Sequence, residues 1–434
     1  MPISKQAKSK MDDNFKRFDM KKPPRKCNPV LKVVAQAGSY IGILKHHTKI
    51  KKIGMEGVKP PYILLGNHNA FFDMNVSITA TFPYFGNYIV AIDGYLKREW
   101  LLRAIGCICK RKFTNDLTVI RHLRTVLNKK GIAAIYPEAR YSLCGTTAPL
   151  PEALGKFIKL SGVPVVTLIC HGHHINHPFW NTRHERNVKP TEATMKLFFT
   201  KEDIEKLSAD EINDRLVKEF QYDEFKWQKD NKIKVDCKDR AVGLEKILYQ
   251  CPECGKEFMM KSEGIHLSCT ACNKTWEMTE YGELKAVDGK TRFSHIPDWY
   301  EWERENVKRE VAEGTYSSGE LPVYVKSLPN ARGYINLGKG TLVHDMNGFK
   351  VNITSEDGKA YEMVKTVPSM YSCHVEYEYL FKDGDCVDLN TLEDTWYTYP
   401  YDRPFSVTKM ALATEELYYD YRRKIGKPCK PGLA

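Results

Sequence analysis

The sequence predicts an α/β domain with helices flanking a largely parallel sheet, then a small four-cysteine module, then a β-rich C-terminal domain closed by a helix. Three observations predict this. Short apolar runs alternate with helical periodicity from about residue 61 to 200. Two Cys-x2-Cys pairs follow residue 250. Period-two patterns broken by Gly and Asp turns occupy 320–405.

The elements follow in order. Residues 61–67 are an apolar run ending in Gly66-Asn67, a buried strand, and 73–82 have helical spacing. Residues 87–93 are β-branched and strand-like, 99–106 read as a helix stopped by Gly106, and 107–110 as a short strand. Residues 116–131 form a strongly amphipathic helix, capped by Asn115 or Asp116 at its start and Gly131 at its end. Residues 132–139 are a strand running into a polar turn, 151–162 a helix with Pro in its first turn, and 163–172 a buried strand. Residues 201–249 are charged and helical, with Ser208 and Glu211 spaced as a capping box. Residues 296–314 and 406–423 read as helices around the antiparallel patterns. The implied domains are 1–60, a basic amphipathic N-terminal segment; 61–249, the α/β domain; 250–290, the cysteine module; and 291–434, the β-rich domain, which contains no assignable motif.

Composition narrows the class. The 434 residues are 42% hydrophobic, ample for a packed core. The 13 cysteines are an odd number and the opening MPISKQAKSK lacks an apolar signal core, so a reducing cytoplasmic setting is expected rather than a disulfide framework. No apolar run reaches the roughly 18–20 residues that span a bilayer. The net charge is +12, and residues 1–60 hold 15 Lys and Arg against four Asp and Glu. Within them Val30, Leu31, Val34, Ala37, Tyr40, Ile41 and Leu44 recur at helical spacing, with Lys32, Lys45, Lys49, Lys51 and Lys52 around them. Such a helix suits an anionic membrane surface, and equally a stripe packed on the core. The expected location is peripheral, on the cytosolic membrane face.

Cys251, Cys254, Cys269 and Cys272 form two knuckles with 14 residues between the inner cysteines. This is the spacing of a closed four-thiolate Zn2+ site on two short hairpins, a structural zinc ribbon, with a redox dithiol pair as the competitor. Phe258 and Trp276 are placed to cover it. The segment is not conspicuously basic, so no nucleic acid is expected as a partner.

The chemistry concentrates after the first buried strand. His68 precedes Asp73 by five residues at a strand-to-helix junction. A carboxylate bonding one imidazole nitrogen fixes the tautomer and makes the other nitrogen a better base toward a hydroxyl. Glu138 and Arg140 follow a second buried strand, and loops at strand carboxyl ends of an α/β sheet converge on one crevice. An Arg there suits a phosphate, whose oxygens its planar fork grips in pairs; the alternative is an ion pair with Glu138. His171, His173, His174 and His177 read as a polar loop near a pocket mouth rather than a metal site.

Residues 67–73, Asn-His-Asn-Ala-Phe-Phe-Asp, resemble the His-x4-Asp block of the 1-acylglycerol-3-phosphate acyltransferase (lysophospholipid/glycerolipid acyltransferase) family. Residues 136–142 resemble its Phe-Pro-Glu-Gly-Thr-Arg-Ser block, 106–111 its Gly-to-Arg block, and the strand from Val163 its fourth block, in order over roughly residues 40–200. The resemblance implies an acyltransferase-type sheet and acyl transfer from a thioester, acyl-CoA or acyl carrier protein, to a lysophospholipid hydroxyl in phospholipid biosynthesis. It implies His68 as general base and Asp73 as its orienter, with Glu138, Arg140, Arg111 and Lys110 binding the glycerol phosphate. Two departures stand out. Ala139 replaces the usual Gly, and the Arg sits one residue early with Tyr141 in its place. A binding module without acyl transfer, in which His68 is structural, is the alternative.

Overall fold

The computed structural model describes residues 16–181, 185–379 and 384–434. Seven strands build the first sheet: β1 (Lys49–Ile53), β2 (Tyr62–Gly66), β3 (Gly86–Ala91), β4 (Ile108–Lys110), β5 (Ile132–Ile135), β6 (Val165–His171) and β7 (Glu192–Phe199). Their order is β1-β7-β6-β2-β5-β3-β4, parallel at every pairing except β6 with β7. Strand β2 lies in the middle and is buried along its whole length. Both of its faces are covered, so the strand is continuously apolar rather than alternating. Tyr62 and Leu64 join a core with Val76 and Ile78, while Ile63 and Leu65 join one with Leu123 and Ile158.

The helices of this half are α1 (Pro29–Lys45), α2 (Phe72–Ala80), α3 (Glu99–Ala104), α4 (Leu117–Asn128), α5 (Ala153–Ser161), α6 (His173–Asn176), α7 (Lys201–Lys206), α8 (Ala209–Glu219) and α9 (Glu224–Asp230). Their ends follow the local chemistry. The Asp116 side chain caps α4 by accepting from Thr118 N at 2.8 Å. Gly162 ends α5 in the left-handed region, as a residue without Cβ does readily. Ser208 and Glu211 form the expected capping box at α8. Two strands, β1 and β7, escape the sequence reading. Strand β1 falls inside the basic N-terminal segment, yet pairs in parallel with β7, so residues 49–53 belong to the sheet.

Strands β8 (Met260–Glu263), β9 (His266–Cys269), β10 (Thr275–Met278) and β11 (Leu284–Ala286) make a small antiparallel sheet around the four cysteines. Trp276 from this sheet meets Trp299 of α10 (Ile296–Ala312), ring centroids 5.0 Å apart, so the module is packed onto the following helix.

The C-terminal sheet comprises β12 (Ser317–Ser327), β13 (Ile335–Asp345), β14 (Gly348–Thr354), β15 (Ala360–Thr366), β16 (His374–Glu376), β17 (Cys386–Asn390) and β18 (Thr395–Pro400), ordered β15-β14-β13-β12-β18-β17-β16 and antiparallel throughout. Helix α11 (Val407–Lys424) closes the chain fold and packs on α10. The sheet and α11 contact residues just past the carboxyl ends of β4 and β5.

Candidate active site and metal centre

The loop from β2 to α2 is built to hold a histidine still. Asn67 imitates a strand residue: its side chain donates to Cys170 O at 2.9 Å and accepts from Cys170 N at 2.8 Å. The backbone of His68 is held at both ends, its N donating to Glu138 Oε1 at 3.1 Å and its O accepting from Ser142 N at 2.9 Å. Its ring stacks on Tyr136 and leans on Tyr141, both centroids 4.3 Å away. Gly66 makes room for this stack, since a Cβ there would meet the Tyr136 ring at 2.9 Å.

Asp73 lies in the first turn of α2, where the helix dipole favours an anion. Its Oδ2 accepts from Asn69 N at 2.6 Å, Ala70 N at 2.9 Å and His68 Nδ1 at 3.3 Å. Its Oδ1 accepts from His173 Nδ1 at 2.5 Å. Burial alone would raise this carboxyl, but the bonds from His173 and His68 outweigh it and hold it at about 2. A carboxylate only accepts, so Nδ1 of His68 carries the proton and Nε2 presents a lone pair. Among the described residues no protein group bonds that Nε2, and the His68 side chain remains 22% exposed.

Glu138 is buried against the same loop. It accepts from His68 N, from Ala148 N at 2.8 Å and from the Tyr222 hydroxyl at 3.0 Å. Burial dominates and pushes its carboxyl up to about 7. The other three side chains face elsewhere. Arg140 donates to Glu415 Oε1 of α11 at 2.6 Å and to Ser372 Oγ at 3.1 Å, and Arg304 donates to the second oxygen of Glu415 at 2.7 Å. The carboxylate that Arg140 meets is thus Glu415, not Glu138. Arg111 is buried and donates to Leu328 O, Pro329 O, Glu393 O and Thr395 Oγ1, all in the C-terminal domain. Lys110 donates to Thr114 O, and burial pushes its ammonium down.

The histidine loop divides: His173 and His174 are buried, while His171 stays half-buried and lines a surface cavity with Tyr222 and Trp227. Glu224 pins the loop by accepting from Gly172 N at 2.8 Å and bonding His171 Nδ1 at 3.0 Å. A chain separation of 100 residues hid His173 from pattern reading. Its signal was only the density of histidines after an apolar strand.

At the cysteine module all four Sγ atoms lie within 4.8 Å of one another, and such a cluster is able to hold a metal ion. Cys251 and Cys272 are 3.7 Å apart, and Cys254 and Cys269 3.8 Å. Tetrahedral coordination with metal–sulfur bonds near 2.3 Å requires about 3.8 Å between thiolates. The two knuckles repeat each other. Cys251 N and Cys269 N donate to Lys256 O and Lys274 O, and Gly255 and Asn273 turn each knuckle with positive φ. An ion bound by all four thiolates would have no position open to substrate.

No protein-family model matches the chain, and no curated protein matches it. Among solved structures it is similar to the crystal structure of the 1-acyl-sn-glycerophosphate (LPA) acyltransferase PlsC from Thermotoga maritima, at 16% sequence identity and a TM-score of 0.33, with 44% of this chain and 79% of that chain covered.

Proposed function

We propose that the protein is an acyltransferase that moves a fatty acyl group from a thioester donor to the hydroxyl of a lysophospholipid, by general-base catalysis from His68. The observation behind this reading is the partly open imidazole whose Nδ1 is held by the buried Asp73 carboxylate and whose Nε2 is unbonded by protein. The resemblance of residues 67–73 and 136–142 to the glycerolipid acyltransferase blocks supports the same chemistry and suggests 1-acylglycerol-3-phosphate as acceptor.

In this mechanism the acceptor hydroxyl gives its proton to His68 Nε2 as its oxygen attacks the thioester carbonyl. The tetrahedral intermediate then collapses, the C–S bond breaks, and the leaving thiolate takes the proton back from Nε2. Asp73 stays ionised and keeps the ring oriented throughout. No acyl-enzyme is formed. Glu138 contributes by holding the backbone of His68, while the contacts of Arg140 and Arg111 favour a role in anchoring the C-terminal domain over one in gripping phosphate.

An anionic membrane surface is the proposed setting. Val30, Val33, Val34, Tyr40, Ile41 and Leu44 of α1 are exposed, as is Phe71 beside the His68 loop, and Lys49, Lys51 and Lys52 follow. No helix among the described residues is long and apolar enough to cross a membrane. At the cysteine module the proposed ion is zinc, which would tie the two knuckles together and add folding energy without touching substrate.

The test is an acceptor screen with the purified chain, an acyl-CoA or acyl carrier protein donor, and lysophosphatidate beside other lysolipids. Phosphatidate formation supports the reading. Absence of transfer to every lysolipid, with either donor, rejects it. Metal analysis of reduced protein should return one zinc per chain.

A further inference from the structure

We infer that His173 is a positioning residue for the His68–Asp73 pair: by holding the second oxygen of Asp73 it fixes the plane of the carboxylate that orients the catalytic ring. This rests on the reading of His68 as the general base.

The hydrogen bonds of Asp73 divide unevenly. Oδ2 receives three donors, two from the backbone of its own loop and one from His68. The His68 bond, at 3.3 Å, is the longest of the three and the easiest to lose. Oδ1 is bonded by His173. Rotation of the carboxyl about its own axis would keep a backbone N–H satisfied while carrying Oδ2 away from His68, and the 2.5 Å bond from His173 opposes that rotation. Deprived of His173, the Oδ1 lone pairs would lie in a buried site without a donor, and the imidazole N–H of His68 would be drawn between the two oxygens.

His173 is itself well placed for the task. It is buried, its ring edge meets Phe72 of α2 at 4.9 Å, and its loop is pinned through Gly172 and His174 to Glu224. Gly172 adopts φ 88, and a Cβ there would press on Thr191 and Trp227, so the turn that delivers His173 tolerates little change. Because Asp73 can only accept, His173 carries its proton on Nδ1. Its Nε2 is buried and has no hydrogen-bond partner among the described residues, while the other nitrogen faces the carboxylate. His173 and His68 bond opposite oxygens of the same carboxylate. His173 acts through Asp73.

The test uses the full chain with three substitutions. His173→Phe keeps a ring and removes the donor, His173→Gln moves the donor out by one bond, and His173→Asn restores an N–H near the Nδ1 position. By analogy with residues that orient a catalytic or metal-bound imidazole, His173→Phe and His173→Gln should lower kcat roughly 10- to 100-fold with KM within about threefold, and His173→Asn should recover most of the loss. In parallel, 15N NMR of the His68 ring should show the Nδ1-protonated tautomer in the parent and in His173→Asn, and a tautomer mixture in His173→Phe or His173→Gln, whichever of the two is folded. An unchanged kcat together with an unchanged His68 tautomer in His173→Phe or His173→Gln, whichever is folded, overturns the inference. A His68→Ala protein that still transfers acyl groups overturns the base assignment instead, and the NMR result then decides the positioning claim alone.

Discussion

Among the described residues, the histidine–carboxylate cluster at Asp73 and the one at Asp388 differ in a way that separates the arrangement proposed for catalysis from one that joins two parts of the fold. In the first, the single carboxylate of Asp73 is surrounded by four N–H donors, two from backbone and one each from His68 and His173. In the second, at the seam with the C-terminal sheet, Asp93, Glu376 and Asp388 share the ammonium of Lys112 at 3.5, 3.6 and 3.8 Å, and His374 bonds Glu376 at 2.9 Å. Each includes side chains close enough to ligate a metal ion. The ratio of donors to acceptors is reversed between them. Donor excess keeps Asp73 ionised and leaves its histidine a free nitrogen. Burial, and after it the neighbouring carboxylates, push the Asp388 carboxyl well above the usual range, whereas Lys112 holds Asp93 below it against burial, and the carboxylates, against burial, hold Lys112 at about 12. An anion that must orient a base needs the first environment. The second joins two sheets.

The largest test of this contrast pairs two equivalent substitutions. Asp73→Asn is expected to cut acyl transfer roughly 10^3-fold, because an amide no longer enforces the His68 tautomer. Asp388→Asn is expected to leave the rate near that of the parent. A similar loss in both would erase the distinction between the clusters.

The next effect falls on stability. Arg140 and Arg304 together neutralise the buried Glu415. Arg140→Ala removes one of these two partners and should lower unfolding free energy by about 3 kcal/mol in denaturant titration. If instead KM for the acceptor rises with stability intact, Arg140 grips substrate and the reading of it as an anchor falls.

A smaller effect depends on pH. Glu138 has a folded-state value of about 7, above its ordinary 4.5. Its contribution to stability is therefore fully present below about 4.5 and is lost as pH rises through about 7. Asp73 behaves oppositely, contributing above its ordinary 3.8 and losing that contribution as pH falls through about 2. Relative to Glu138→Gln, the parent should lose about 2 kcal/mol between pH 4.5 and 7.5, read from thermal unfolding across that window. A flat difference would contradict the account of Glu138.

The smallest effect concerns the backbone beside it. Ala139 adopts φ 58, in the left-handed region where a Cβ is crowded. Ala139→Gly should raise stability by up to about 1 kcal/mol. A loss of stability would mean that the methyl group packs better than it strains.

What the chain revealed before its fold was known divides along sequence separation. The central strand β2, helix α4 with its Asp116 cap, and the capping box of α8 were legible because each depends on residues within a few positions. The alternation after residue 320 likewise announced the antiparallel sheet. Strand β1 was not legible. It is an edge strand rich in lysine, and protecting an exposed edge removes the apolar alternation that marks a strand. At the site, His68 and Asp73 sit five residues apart and were read directly. The bonds of Asp73 with His173 and of Arg140 with Glu415 span 100 and 275 residues. Such pairings depend on how the loops and the C-terminal domain pack, which no local pattern records.

The central claim is that one imidazole, oriented by one buried carboxylate, takes the proton from a lipid hydroxyl. Its most direct measurement is the rate of acyl transfer to lysophosphatidate by His68→Ala protein whose melting temperature matches the parent. The account predicts a loss of roughly 10^3-fold or more. Transfer at a tenth of the parent rate or above would contradict it.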